Sequence, residues 1–328
     1  MLALFRNNQS TTALLLAAYV ILLHLPAMLG WVEPPAVGAA TGGGILFRDL
    51  FGWIAATPWS SALAATILVL LQAFLVNSLA DGFRLMEDRS WYPGVLYAAA
   101  VSSLPDFQYV SPALVAVTFL PIALRRIFSV YKQTQAYSPI FDAAFWICLA
   151  TIFHPSAVWC LPAAYFALFN LRSFNPREQL VFFTGIFAPF FLALTGYFWY
   201  DRGGEFLQVQ FTQWIAFPTF VFPSGYAGMK TGLLVLLLVV GLLGFNVYYH
   251  KKLIQVQKYI TIFYWFMFAG LVSMLCHPEM RLEFALLTMP SLGIFLAYLF
   301  QSIRNGLIAE LLHLVLLAAI FLLQFYPK

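Results

Sequence analysis

Charge is the scarcest property of this chain. Only 9% of its 328 residues are Asp, Glu, Lys or Arg, against 62% hydrophobic, where a soluble domain carries about 25% charge. That scarcity excludes a globule solvated by water on all sides. The net charge of +4 is small and dispersed, which argues against a nucleic-acid partner. Three cysteines, Cys148, Cys160 and Cys276, sit in apolar stretches without paired spacing, so they read as small buried hydrophobes and not as disulfide or metal positions. No glycine-rich phosphate loop is present, which argues against a nucleotide-driven pump. No internal repeat is visible, and His24 and His313 are the only titratable groups expected at mid-membrane, which argues against a transporter without excluding one.

What the chain does have is apolar stretches of spanning length. Crossing about 30 Å of hydrocarbon takes roughly 20 apolar residues. Eleven candidates follow: 12–30, 59–80, 93–104, 111–125, 139–153, 156–170, 180–199, 229–249, 259–276, 282–301 and 306–325. The third to sixth are short, and Pro105 and His154-Pro155 interrupt them, which predicts tight helical hairpins or broken helices. The first reads as a retained helix, because no small-residue cleavage site follows it convincingly. The expected fold class is all-α: a single polytopic bundle over residues 1–328.

Lys and Arg orient it. With the N-terminus inside, twelve lie in inner gaps and five in outer ones, which agrees in sign with a cytoplasmic N-terminus. Two outer loops are long, 31–59 and 200–229. Phe47–Ile54 has charges beside bulky apolar residues and predicts a short surface helix. The second loop, with Phe206, Phe211, Trp214, Phe217, Phe220 and Phe222, is too aromatic for a free aqueous loop. Trp53, Trp59, Trp91, Tyr92, Tyr197, Trp199, Tyr248 and Tyr249 stand at span ends and read as interfacial anchors.

The outer face collects Glu33, Asp49, Asp106, His154, Asp201, Arg202, Glu205, Lys230, His277, Glu279, Arg281 and Glu283, several on short turns beside proline. Each alone suits ordinary turn chemistry. Together they suggest one outward-facing pocket. His24 reads as a packing histidine, and His313 as a helix-surface partner of Glu310 three residues before it.

Three regions resemble the GT-C superfamily of integral-membrane glycosyltransferases. The first runs from span one through a long acidic outer loop (Glu33, Asp49) to Asp106 in the second outer loop. The second is Ala150-Thr151-Ile152-Phe153-His154-Pro155-Ser156-Ala157 leading into Leu161-Pro162. The third is Arg281 with Leu287 and Pro290. No Asp-x-Asp or Glu-x-Asp pair accompanies them. The resemblance implies sugar transfer from a polyprenyl-phosphate-linked donor at the outer face. In it Asp49 is the first choice for the proton-accepting carboxylate, with Glu33 and Asp106 in reserve. Arg281 would hold the leaving phosphate, helped by Lys230, Arg202 or His277, and His154 and Trp214 complete the substrate-binding set. A divalent metal between Asp49 and Asp106 is the one cofactor this reading admits.

A narrower resemblance, in Leu4–Ser10, Phe74–Asn77 and Arg172–Glu178, is to an uncharacterised family of Bacteroidota proteins, and it implies a Gram-negative inner membrane. Two other readings stay open. One is a non-enzymatic scaffold or subunit of a cell-envelope secretion or motility complex, with protein partners in that complex. The other is a lipid or small-molecule transporter.

Overall fold

The computed structural model describes residues 5, 10–34, 43–212, 225–249, 252–276 and 281–325. Among the described residues the secondary structure is helical and contains no strand. In chain order the helices are α1 (Ser10–Met28), α2 (Ile45–Ala55), α3 (Pro58–Gly82), α4 (Tyr92–Val101), α5 (Pro112–Val117), α6 (Phe119–Ser129), α7 (Tyr137–Phe153), α8 (Cys160–Leu171), α9 (Pro176–Trp199), α10 (Gly203–Thr212), α11 (Gly225–Leu243), α12 (Phe245–Tyr248), α13 (Ile254–Leu275), α14 (Met289–Ser302) and α15 (Gly306–Phe325). Short 3₁₀ turns at Pro105–Gln108, Pro155–Trp159 and Leu282–Thr288 lead towards α5 and into α8 and α14.

Proline opens several of these helices, where its missing N–H costs nothing. Pro112 follows Ser111, whose Oγ accepts from Leu114 N at 3.2 Å. Pro176 follows Asn175, whose Oδ1 accepts from Arg177 N at 3.1 Å.

Eight helical segments among the described residues are long and apolar enough to cross a membrane: 11–28, 58–82, 112–129, 176–199, 225–243, 254–275, 282–302 and 306–325. Three shorter apolar segments, 92–101, 137–153 and 155–171, lie between them in the chain. The fourth expected span is longer than its sequence suggests, because α5 and α6 run on through Thr118. The eighth begins at Gly225 and its long helix ends at Leu243. At ten residues α4 is about 15 Å long, half the hydrocarbon thickness. It tolerates this because Pro93 to Val101 are all buried in protein, where lipid does not reach them.

The core pair is α4 and α14. From Met289 to Tyr298 every residue of α14 is buried. A Cβ on Gly293 would stand 2.8 Å from Tyr97 Cα, so glycine sets the approach of these two helices. By contrast α9, α11 and α15 are peripheral and leave broad apolar faces exposed.

Neutral polar groups tie the bundle together inside. Gln72 Nε2 donates to Leu114 O and to Thr118 Oγ1, both at 2.8 Å, and Tyr97 OH donates to Gln72 Oε1 at 2.7 Å. That joins α3, α4 and the α5–α6 segment. His24 shares a 3.1 Å hydrogen bond with Ser102, a packing role as expected. His313 lies within electrostatic reach of Glu310, as its spacing implies, and also pairs with Tyr19 OH at 3.0 Å and stacks on that ring, tying α15 to α1. Tyr248 is not an interfacial anchor. It is buried, stacked on Tyr298 at 4.9 Å and hydrogen-bonded to Tyr264 at 2.6 Å. Trp53, Trp59 and Trp199 are exposed at helix ends, as a belt requires.

The connections gather at two ends of the bundle. One end holds the 83–91 connection and Lys252 ahead of α13, joined by Lys252 to Glu87 at 3.0 Å, with Trp91 N donating to Phe5 O. Arg126–Asp142 and Arg172–Glu178 ion pairs stand in the other connections expected on that side. This is the basic end. The opposite end holds α2, the 102–111 and 153–155 turns, α10, and the starts of α11 and of the 282–288 turn.

Candidate functional site

The first polar group at this end forms around α2. Ile45 and Phe47 bury one face of that helix while Trp53 stays exposed on another, so it lies on the bundle as a surface helix. Its N-terminus is anchored by Gly44, whose N–H donates to Phe153 O at 2.8 Å. A Cβ at Gly44 would fall 1.9 Å from Ile152 O, so only glycine lets the α2 entry meet the end of α7.

This anchoring presents Asp49 to the α9–α10 corner. Arg202 donates through both terminal nitrogens to Asp49, at 3.0 and 3.4 Å, and Tyr197 OH donates to Asp49 at 3.0 Å. Arg202 Nε also donates to Glu205 at 2.9 Å, and Arg48 pairs with Glu205 as well. Two guanidiniums therefore face two carboxylates, and the group is neutral. Hydrogen bonding from Arg202, with a further contribution from Arg48, holds the Glu205 carboxyl below its usual range, and Glu205 in turn raises Arg202.

Beneath this charged rim runs a groove of 610 Å³ between α2, α7 and α9. Leu46, Leu149, Ile152, Pro189, Leu192 and Ala193 supply its apolar lining, and Asp49, Tyr197 and Arg202 close one end. Gln210, on α10, is buried and donates to Thr151 O at 2.7 Å, which fixes α10 to the end of α7.

The second group forms around the 105–108 turn. Lys230, from the first turns of α11, donates to Asp106 at 2.6 Å and lies 5.0 Å from the centroid of the Tyr226 ring. Glu33 and Asp106 both act electrostatically on Tyr226. Glu283, 6% exposed, lies within electrostatic reach of Arg281 and Asp106. Tyr109 OH donates to Val32 O at 2.6 Å, tying this turn to the segment after α1.

Among the expected site residues, Asp49 and Arg202 thus meet in one group, while Asp106, Lys230, Glu33 and Arg281 gather in the other. His154 stands between them. The preceding Phe153 packs edge-on against Phe51 of α2, and the His154 ring lies 4.8 Å from that of Phe284, next to Glu283. His277 and Trp214 lie outside the described residues. Asp49 and Asp106 each face cations, and among the described residues no cluster of three or more His, Cys, Asp or Glu could hold a metal.

Glu205 and Glu283, collected at this face in the sequence, join these groups, and so do Arg48, Tyr197 and Tyr226, which were not singled out for the site there.

No family model matches the sequence, and no curated protein matches it. Among solved structures the chain is similar to that of ArnT from Cupriavidus metallidurans bound to undecaprenyl phosphate, with a TM-score of 0.48 and 12% sequence identity, over 92% of this chain and 58% of that one.

Proposed function

We propose that this protein binds a lipid-linked phosphate of the polyprenyl class at its outer face and transfers the attached sugar to an acceptor. The observation that carries the reading is the groove between α2, α7 and α9, apolar along its length and charged at one end. That polarity suits a long hydrocarbon chain ending in a phosphate. Arg48 and Arg202 are the nearest cations for the phosphate, and His154 leads from this rim towards Asp106 and Glu33. Asp49 remains the first choice of proton acceptor, with those two in reserve, and Arg281 and Lys230 sit beside the second set. The cytoplasmic N-terminus and the inner membrane belong to the same proposal.

Charge balance makes the proposal testable. An arriving phosphate competes with Glu205 for Arg48 and Arg202, so Glu205→Gln is expected to tighten binding and Arg202→Gln to weaken it. The assay is photocrosslinking of a diazirine polyprenyl phosphate to the protein in nanodiscs, with labelled peptides identified by mass spectrometry. Labels on α7 and α9 that disappear in Gly196→Trp, a groove position with open space around it, support the reading. Equal labelling with and without that tryptophan overturns it. Release of polyprenyl phosphate from a sugar-loaded donor, abolished by Asp49→Asn, tests the transfer step.

One observation favours the non-enzymatic scaffold instead. Asp49 and Asp106 both sit in ion pairs joining distant parts of the chain, which is what a fold kept for its shape uses carboxylates for. Lipid binding without turnover, together with a stably copurifying envelope protein, would select that reading.

A further inference from the structure

A second cavity, 710 Å³, opens at the opposite, basic end between the 87–92 segment and the α14–α15 corner. Its lining carries both signs of charge. Glu87, Asp88, Glu310 and Arg304 line it, and Lys252, from outside the lining, pairs with Glu87 at 3.0 Å. Ser90 also lines it, is only 3% exposed, and its hydroxyl makes no hydrogen bond within the protein. A buried, unsatisfied hydroxyl in the wall of a polar cavity is costly unless something in the cavity completes it.

The rest of the lining indicates what that is. Asn305 Oδ1 caps Leu307 N at 3.0 Å, so α15 starts at the cavity, and the positive end of its dipole stands beside Arg304. Anion-binding and cation-binding groups therefore share one pocket. Leu307, at the rim, is 73% exposed, and Leu311 and Val315 continue the same face of α15 at 61% and 65%. That stripe leads from the pocket along the lipid-facing side of the bundle.

We propose that this cavity seats the headgroup of an amine-bearing zwitterionic phospholipid. The ammonium lies at Asp88 and the Ser90 hydroxyl, the phosphate lies on Arg304 and the start of α15, and the acyl chains follow the Leu307–Leu311–Val315 stripe. A primary ammonium fits better than a quaternary one, because carboxylates and the Ser90 hydroxyl accept hydrogen bonds that only an N–H cation supplies. The site is independent of the outer groove.

The experiment uses the full chain in nanodiscs of equal phosphatidylethanolamine and phosphatidylcholine, with retained lipid counted by native mass spectrometry. Preferential retention of phosphatidylethanolamine is expected. It should fall about tenfold in Asp88→Asn/Arg304→Gln, which removes one charge-assisted contact from each half of the headgroup. Gly306→Trp fills the cavity from a position with no atom within 4 Å and supplies a second variant should the first fold poorly. Equal retention of the two lipids by the wild type, or a preference unchanged in Gly306→Trp, overturns the proposal. Displacement of the lipid by free phosphoethanolamine at equal concentration also overturns it, because the pocket would then read a soluble ligand without its chains.

Discussion

Gly44→Ala tests how the outer site is built. Its backbone, φ −61° and ψ 158°, is open to any residue, so conformational freedom is not what glycine supplies there. Space is. The new Cβ would stand 1.9 Å from Ile152 O and must retreat to at least 3.0 Å, a shift of no less than about 1.1 Å. The Gly44 N–H to Phe153 O bond, 2.8 Å in the native protein, then stretches beyond hydrogen-bonding range.

Losing that bond costs about 1–3 kcal/mol where the carbonyl is left unpaired, and the overpacking adds a further 1–3 kcal/mol or so. The lower end of that range, about 2 kcal/mol, corresponds to roughly 30-fold more frequent local opening of α2. Hydrogen exchange of the α2 amides in nanodiscs reads this directly. Gly52, on the same helix, has nothing within 4 Å of its Cβ position, so Gly52→Ala should slow exchange slightly through helix propensity alone. Unchanged exchange in Gly44→Ala, or equal damage from Gly52→Ala, would refute the claim that close approach to α7 positions Asp49.

Other perturbations probe different parts of the bundle. Gln72→Leu removes three hydrogen bonds in the membrane interior, each worth about 0.6 kcal/mol on average, and leaves Tyr97 OH unpaired. Destabilisation of about 2 kcal/mol in reversible unfolding in mixed micelles is expected, with a smaller effect from Tyr97→Phe. Lys230→Met strips Asp106 of its 2.6 Å partner in a partly buried setting. A loss of about 1–3 kcal/mol should follow, with Asp106→Asn restoring part of it in a double-mutant cycle. The depressed Glu205 carboxyl contributes to α10 docking above its unfolded pKa, and the contribution fades as pH falls through the lower folded value. Exchange protection of 203–212 should therefore hold from pH 7 to about 5 and decline only in more acid solution.

Much of this architecture was legible because lipid forces it. Apolar length alone located the long helices, since a backbone in hydrocarbon can satisfy itself only as helix or closed barrel. The surface helix was readable from Phe47–Ile54, where charges interrupt an apolar face. Tyr248 was misread because its position at a span end looks the same whether the ring faces the interface or the core. Its partners Tyr264, Phe295 and Tyr298 are 16 to 50 residues away. His313 was assigned its neighbour one turn off, but its hydrogen-bond partner Tyr19, at the other end of the chain, was not visible. The site suffered the same limit more severely. Asp49 and Arg202 were each visible as polar residues at one face, but their pairing spans 153 positions and depends on Gly44 fitting against α7. Nothing local encodes that.

The two kinds of polar contact in this protein also separate scaffold from site. The Gln72 network is buried and neutral, and every one of its amide atoms named here has a partner, so opening it exposes polar groups to hydrocarbon with no replacement. Such a network holds helices and does not exchange. The Asp49, Arg202, Glu205 and Arg48 group is partly exposed, and there water replaces a lost partner and ion pairs contribute little to stability. Partner exchange is cheap there, so an incoming phosphate can displace a carboxylate without unfolding anything. That contrast supports the proposal that ligand chemistry sits at the rim of the α2–α7–α9 groove, with the bundle interior as its support. It also explains why a chain with so little charge concentrates it at the two ends.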